Sequence, residues 1–339
     1  MEQVQLTEGR LLNAFGNLNE CGNATSLVKA YDRREIKSKK SRIKEFDSYF
    51  IGNQRYGIYL KIADNSTIGY AYITFVDFEN ETSISKRLLR FMPNGKLKMP
   101  STTKSGQCVF KDKNSLVHFI KDGKTRTIKC AVKNFDGVAD FECNIELSDE
   151  NPDSLVLATK FDKKKEFIYN QKINCLRAKG EARIGGRRLF FYPQESFASY
   201  EWSRAILPRK NMWYTATMTS TINGKKVGFN LSSRIGSKTN VRESIICYDQ
   251  LTSIINNINF ELSLNNKGKE DLMGDWKIKA SDDSVNLTFK PVLKGKQYLL
   301  SNEKNNQIYG YFDGVMKLNN KEIIVKDFVG FIEISSTKF

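Results

Sequence analysis

Glu201, Trp202 and Arg204 stand within four residues of one another in the segment SYEWSR, and an acid, an aromatic and a base so close together could move a proton. A carboxyl in an apolar pocket keeps its proton to a higher pH and can donate it, whereas an adjacent guanidinium holds it ionised. The residues allow either role, and they equally allow an exposed helix carrying an intrahelical ion pair. Just downstream, segments 212–222 and 225–234 flank Asn223-Gly224, a pair suited to a two-residue hairpin turn because both positions take positive φ. That turn sets Met218 opposite Phe229 and Ala216 opposite Leu231 on an apolar surface. The other surface carries Thr217 opposite Asn230, Thr215 opposite Ser232 and Trp213 opposite Arg234. Half-solvated antiparallel sheets are common, so this polar surface either meets water or lines a cavity shared with Glu201 and Arg204.

Other chemistries find little support. With His118 the only histidine, mechanisms that need two are removed and a Ser-His-Asp arrangement is nearly so. Asp122-Gly123 reads as another tight turn, which sets His118 against Thr127 as a packed or half-exposed structural residue. No Gly-x-Gly-x-x-Gly or Gly-Lys-Ser/Thr loop is present to cradle a phosphate. Carboxylates for glycoside hydrolysis could come from Glu195, Glu201, Glu243 and Asp249, but only spatial separation would qualify them. No cluster of metal ligands stands out, so neither metal nor cofactor is expected.

A length of 339 residues suits two packed units better than one. A hydrophobic content of 40% and a mean hydropathy of −0.47 describe a soluble globular chain. No apolar run approaches the roughly 18 residues that span a bilayer, and the opening MEQVQLTEGR lacks a secretory apolar stretch. Six cysteines without Cys-x-x-Cys spacing read as buried free thiols in a cytoplasmic protein. The net charge of +16 creates a field attractive to nucleic acid, anionic lipid or acidic ligands. Its densest stretch, Lys29 to Lys44, lacks both helical spacing and interleaved aromatics, so it reads as a solvated connection and nucleic acid is not expected as a partner.

The elements that must hold these residues are strands nearly throughout. Segments 55–63 and 68–78 are rich in Tyr, Ile, Phe and Val around Asp64-Asn65. Gly185-Gly186 and Asn319-Asn320 make further tight turns, and 88–106, with two prolines, reads as a surface excursion. Helix is expected only briefly, at 194–203. The acidic, Pro152-bearing segment 147–154 is the expected boundary, giving an N-terminal β domain with a leading arm over 1–154 and a C-terminal β domain carrying SYEWSR over 155–339. This pattern calls for an all-β fold of two antiparallel barrels or sandwiches side by side.

The strings RIKEFDSYFIGNQRYGIYLKIAD, KNFDG, FIYNQKINC, SYEWSR, KKVGFN and FDG…KDFVGFIE resemble the bacterial domain-of-unknown-function family 2804 over essentially the whole chain. The central motif of that family usually runs Asp-Trp-x-Arg-Gly; here Glu201 replaces the acid and Ala205 the glycine. The family is distantly similar to two-domain lipocalin-like proteins of the AttH, carotenoid hydratase and tocopherol cyclase type. That resemblance implies two calycin-type β-barrels or strongly curved sheets, with a ligand cavity in or between them. It further implies protonation or hydration of an alkene in a lipophilic substrate by a carboxylic acid, without a cofactor. In that reading Glu201 is the proton donor and Arg204 orients it. Trp202 and Trp213 wall the cavity, Asn230 places a water or an oxygen, and Arg234 and Glu243 complete the substrate-binding set. The rival expectation is a non-catalytic lipophile carrier, with peripheral contact to an anionic membrane and no obligate protein partner.

Overall fold

The computed structural model describes residues 4–148, 153–236, 241–255, 257–295, 298–300 and 303–338. Among these the fold is all-β, and helix is limited to two three-residue 3-10 turns, Arg33–Glu35 and Lys40–Arg42. Apart from a two-stranded parallel ladder of Gly9–Arg10 with Lys29–Ala30, the strands form two antiparallel sheets, each curled into a half-barrel around its own apolar core.

In the first sheet the strand Phe197–Ile206 occupies the centre, between Ile43–Gly52 and Phe167–Ile184. Tyr56–Asp64, Ile68–Asp77 and Thr82–Phe91 extend it on one side, and Phe141–Ser148, Thr125–Val132, Ser115–Asp122 and Gly106–Lys111 on the other. The second sheet is centred on Lys210–Ile222 and the long hairpin of Glu303–Leu318 and Lys321–Lys338. Only residues 207–209 join Phe197–Ile206 to Lys210–Ile222, so the middle strands of the two sheets are consecutive in the chain.

The division between the sheets therefore falls after Ile206 rather than at 154. Residues 149–152 of the expected boundary lie outside the described residues. The strands on either side, Phe141–Ser148 and Asp153–Lys160, both pair with Phe167–Ile184 in the first sheet. A local break in the β pattern marked a connection within one sheet, and SYEWSR belongs to the first sheet. The helix expected at 194–203 is also replaced, because Phe197–Ile206 is paired along its whole length with Ile43–Gly52 and, apart from one bulge, with Phe167–Ile184.

Turn chemistry sets register where it is local. Asn223 and Gly224 take φ of 50° and 76°, and Met218 faces Phe229 while Thr217 faces Asn230, as the tight turn requires. Gly185-Gly186 and Asn319-Asn320 likewise form two-residue turns. At the fourth hairpin Gly123 takes the positive φ of the first turn position, so the turn is Gly123-Lys124 and His118 pairs with Lys129, not Thr127. His118 is half-exposed and shares a 2.9 Å hydrogen bond with Gln107.

Segment 92–105 is not a surface excursion. Leu97 and Met99 are buried in the first core, and the Pro100 carbonyl accepts from both Trp202 and Arg204, so the segment seals one end of the half-barrel. The basic stretch is also less solvated than its composition suggests. Lys29 lies 2.6 Å from Glu20, Arg33 pairs with Glu45, Arg42 lies 2.8 Å from Glu166, and Lys44 is buried.

The outer faces of the two sheets pack on each other. Phe50, Tyr59, Tyr70 and Tyr72 meet Tyr309 and Phe331 at one flank, and Leu157, Phe161 and Ile168 meet Ile235 and Val241 at the other. Close approach needs Gly228, where a Cβ would sit 2.8 Å from the Cys175 sulfur of the facing sheet. Cys175 itself occupies a bulge between Ile173 and Leu176 with φ of 57°, 3.7 Å from the thiol of Cys247. The six cysteines are free thiols; five are buried and Cys21 is half-buried.

Candidate active site

Side chains on a strand alternate between faces, and that rule divides SYEWSR in two. Tyr200, Trp202 and Arg204 point into the first core, whereas Glu201, Ser203 and Ala205 point toward the second sheet. Trp202 is fully buried, meets Tyr31 and Tyr169 edge-on, and donates its indole N–H to the Pro100 carbonyl at 3.0 Å. Arg204 is fully buried and donates to Asp47 at 2.8 Å and to the carbonyls of Phe46 and Pro100 at 2.8 and 2.6 Å, with Glu45 3.8 Å away. Burial opposes its charge, but Asp47 and Glu45 outweigh that and hold the guanidinium above its ordinary pKa. Arg204 thus binds the first half-barrel together instead of orienting Glu201, and Trp202 walls no cavity with it.

Between the outer faces of the sheets lies a cavity of about 100 Å³. Glu201, Asn170, Lys61 and Tyr59 line it from the first sheet, and Trp213, Thr215, Gln307 and Glu333 from the second. An adjoining recess of about 20 Å³ is bounded by Glu201, Glu333, Tyr59, Thr217 and Asn230. The polar surface of the 210–233 hairpin therefore lines this cavity together with Glu201.

The Glu201 carboxyl accepts from Asn170 at 3.4 Å and sits opposite Lys172 and Ser48 in the flanking ladders. Its pKa is raised, first by burial and then by the Glu333 carboxylate, against the opposing pull of Lys172, Lys61 and Asn170. Glu333 accepts from Gln307 at 3.1 Å and from Ser335 at 2.9 Å. The site thus holds two carboxyls, one from each sheet, and burial holds the Glu201 proton more tightly than an ordinary glutamate would. Lys172 is itself buried and donates to Ser232 at 2.9 Å, tying the sheets together beside the acid.

The remaining expected residues separate clearly. Trp213 lines the cavity and Asn230 the recess, where Asn230 accepts from Thr217 at 2.7 Å and donates to Asn174 of the first sheet. Arg234 is exposed, with its guanidinium 5.8 Å from the Tyr214 ring centre, and lines neither space. Glu243 stands behind the wall, accepting from the backbone N–H groups of Ile235 and Gly236 at 3.1 and 3.0 Å, its pKa raised by burial. It shapes the loop that brings Ile235 to the cavity. Glu195 and Asp249 pair elsewhere with Arg55 and Lys225.

Sequence reasoning missed Glu333, Lys61 and Lys172. For Lys61 the available signal was a lone cation in the otherwise apolar and aromatic strand YGIYLKIAD; Glu333 and Lys172 lie in strands with many polar residues and carry no such mark. Among the described residues no group of three or more His, Cys, Asp or Glu is arranged to hold a metal ion, and none of the helices is long and apolar enough to cross a membrane.

No curated protein matches the chain in sequence. The crystal structure of a protein from Nitrosomonas europaea assigned to the AttH type overlaps it with a TM-score of 0.56 at 8% identity, over 92% of this chain and 98% of that one. A kievitone hydratase from Nectria haematococca overlaps with a TM-score of 0.48 at 11% identity, over 87% of this chain and 88% of that one, too loosely to argue from. The first likeness shows the two-sheet fold. In sequence, the profile of the domain of unknown function DUF2804 matches residues 2–339, and the chain belongs to that family.

Proposed function

We propose that this protein is a cofactor-independent enzyme of the hydratase, cyclase or isomerase type, with Glu201 as the acid that protonates an unsaturated carbon of a lipophilic substrate. The observation that carries the reading is a carboxyl with a raised pKa lining an aromatic-walled cavity between the two sheets. Protonation of an alkene or enol carbon needs an acid that keeps its proton and meets little bulk water, and the burial that raises the Glu201 pKa works toward both. Glu333 raises the proton affinity of Glu201 by its own negative charge and is suited to accept a proton from water or from an adjacent carbon as Glu201 gives one up. For hydration the proton goes to one alkene carbon and water adds to the other, losing its proton to Glu333. For isomerisation Glu333 removes the proton from carbon instead. Trp213, Tyr59 and Tyr70 supply apolar surface, and their π faces favour a cationic intermediate.

A cavity of about 100 Å³ is of the order of the roughly 150 Å³ hole that admits a benzene ring, so it encloses the reacting portion of a molecule rather than a long chain. The test is incubation of the purified protein with a panel of unsaturated lipophiles in D2O, followed by mass spectrometry. Carbon-bound deuterium or addition of D2O is expected with the native chain and not with Glu201→Gln. Equal incorporation by both proteins overturns Glu201 as the donor. Tight binding of the panel with no incorporation by either protein supports a carrier instead.

A further inference from the structure

One end of the two-sheet sandwich is built unlike the other. Exposed cations gather where the strands of the first sheet end beside the cavity: Lys39 and Lys40 lead into Ile43–Gly52, Lys163 and Lys164 into Phe167–Ile184, and Lys96 and Lys98 follow Thr82–Phe91. Arg209 and Lys210 at the junction of the sheets, and Lys304 of the second sheet, extend that rim, and Asp162 is an exposed acid among them. At the opposite strand ends the cations are matched. Arg55 lies 3.5 Å from Glu195, Lys225 lies 2.9 Å from Asp249, and Arg187 pairs with Asp77. The cavity opens toward the cationic end, its lining grading from buried Tyr59, Lys61 and Gln307 to half-exposed Leu207 and exposed Lys304. Beside that opening, the face of Thr82–Phe91 that brings Arg87 to the cavity continues as Leu89 and Phe91, opposite Tyr70 and Ile68. Leu89, Phe91 and Met92 are 40%, 75% and 58% exposed. Large apolar side chains left together in water, next to an opening rimmed by cations, mark a docking surface.

We infer that this end of the protein docks on an anionic lipid bilayer, with Phe91 and Met92 entering the headgroup boundary and the flanking lysines set against the lipid charges. A lipophilic substrate then passes from the bilayer into the cavity without crossing water. The inference rests on the reading of the cavity as a site for lipophiles and names the partner that supplies them. Charge and apolarity together select that partner. A nucleic acid would answer the cations but leave the apolar side chains in water, and a second copy of this chain would set cations against cations. Each lysine held near an anionic surface strengthens binding about fivefold. A few apolar side chains alone hold a protein on a neutral bilayer only weakly, so stable docking takes both signals, and both are present here. Part of the net charge of +16 then has a local purpose.

Sedimentation of the full chain with vesicles tests this, using phosphatidylcholine alone and phosphatidylcholine carrying about 30% phosphatidylserine. The anionic vesicles are expected to bind at least about tenfold more tightly than the neutral ones at about 0.1 M salt, and to release the protein near 1 M salt, where the Debye length falls to about 3 Å. Lys96→Glu combined with Lys98→Glu should weaken that binding at least about tenfold. Lys163→Glu combined with Lys164→Glu, at the far side of the same sheet end, should do the same and serves if the first pair disturbs its loop. Phe91→Trp is expected to shift its emission to the blue on anionic vesicles and to be quenched by brominated acyl chains, and Phe91→Ser to weaken binding severalfold. Equal binding to both kinds of vesicle overturns the inference, as does anionic binding indifferent to these substitutions. Duplex DNA bound more tightly than the anionic vesicles, with the Phe91→Trp emission unmoved by either, also overturns it and assigns the cations to a nucleic acid. Glu201→Gln is expected to dock as the native chain does. Docking without deuterium incorporation in D2O would therefore sink the proton-transfer reading alone, and turnover of dissolved lipophiles by a chain that ignores anionic vesicles would sink this inference alone.

Discussion

The two faces of the strand Phe197–Ile206 make a natural comparison, because one stretch of ten residues serves two opposite purposes. On the inner face Trp202 and Arg204 are fully buried and bonded to Pro100, Phe46 and Asp47, so their chemistry is spent on holding the first half-barrel and its sealing segment in place. On the outer face Glu201 borders open space, is incompletely compensated, and has a raised pKa. Both faces are polar in sequence and both are shielded from bulk water. What differs is the strength of the partnership: Asp47 accepts from Arg204 and Tyr200 at 2.8 and 2.6 Å, whereas Glu201 has one long hydrogen bond at 3.4 Å. A buried charge held by a close ion pair is architecture, and a loosely held acid beside a cavity is available for chemistry.

The sharpest way to break this contrast is Arg204→Met. Removing the guanidinium leaves Asp47 buried with only the Tyr200 hydroxyl as its partner, while Glu45 keeps Arg33, and about 3–5 kcal/mol of stability should be lost in chemical denaturation. Were that variant as stable as the native chain, the inner face would not be structural. Glu201→Gln should do the opposite, with an unfolding midpoint equal to or above the native one and proton transfer slowed about 100- to 10,000-fold. The tryptophans offer a third test. Trp202→Ala is expected to lose about 3–5 kcal/mol, whereas Trp213→Ala, at a half-buried cavity position, should lose about 1 kcal/mol and instead raise KM.

The smallest effect concerns pH. Because the folded pKa of Glu201 lies above its ordinary value, the folded state holds this proton more tightly than the unfolded chain does. Its stabilising contribution is complete below the unfolded pKa and is lost as pH rises through the folded value. Stability measured across that window should fall less steeply in Glu201→Gln than in the native chain. The rate should decline over the same window as the acid ionises. A rate that rises there would make Glu201 a base.

Much of the local structure was legible in the chain. Asn223-Gly224 determined the register of its hairpin, because positive φ at both turn positions admits few residue types, and the all-β character followed from strand-length segments between turns. The placement of Glu201 among the cavity residues could be anticipated from the polar surface of that hairpin, once Trp213, Thr215 and Asn230 shared one face. The association of Glu201 with Arg204 could not survive, since neighbours three apart on a strand lie on opposite faces whereas on a helix they share one. The domain boundary failed for a related reason. Pro152 and its acids report a local interruption, but membership of a sheet depends on the distant partners of Phe167–Ile184.

Residue types and turns by themselves determined that the chain folds as strands, where its tight hairpins turn, and that an acid was available near aromatic side chains. Only the packing of two sheets across their outer faces decided which acid meets a cavity, that Glu333 from the far end of the chain stands with it, and that Lys61 lines the same space. Those pairings join residues more than a hundred positions apart, and no local preference encodes which surface of one sheet will cover which surface of another.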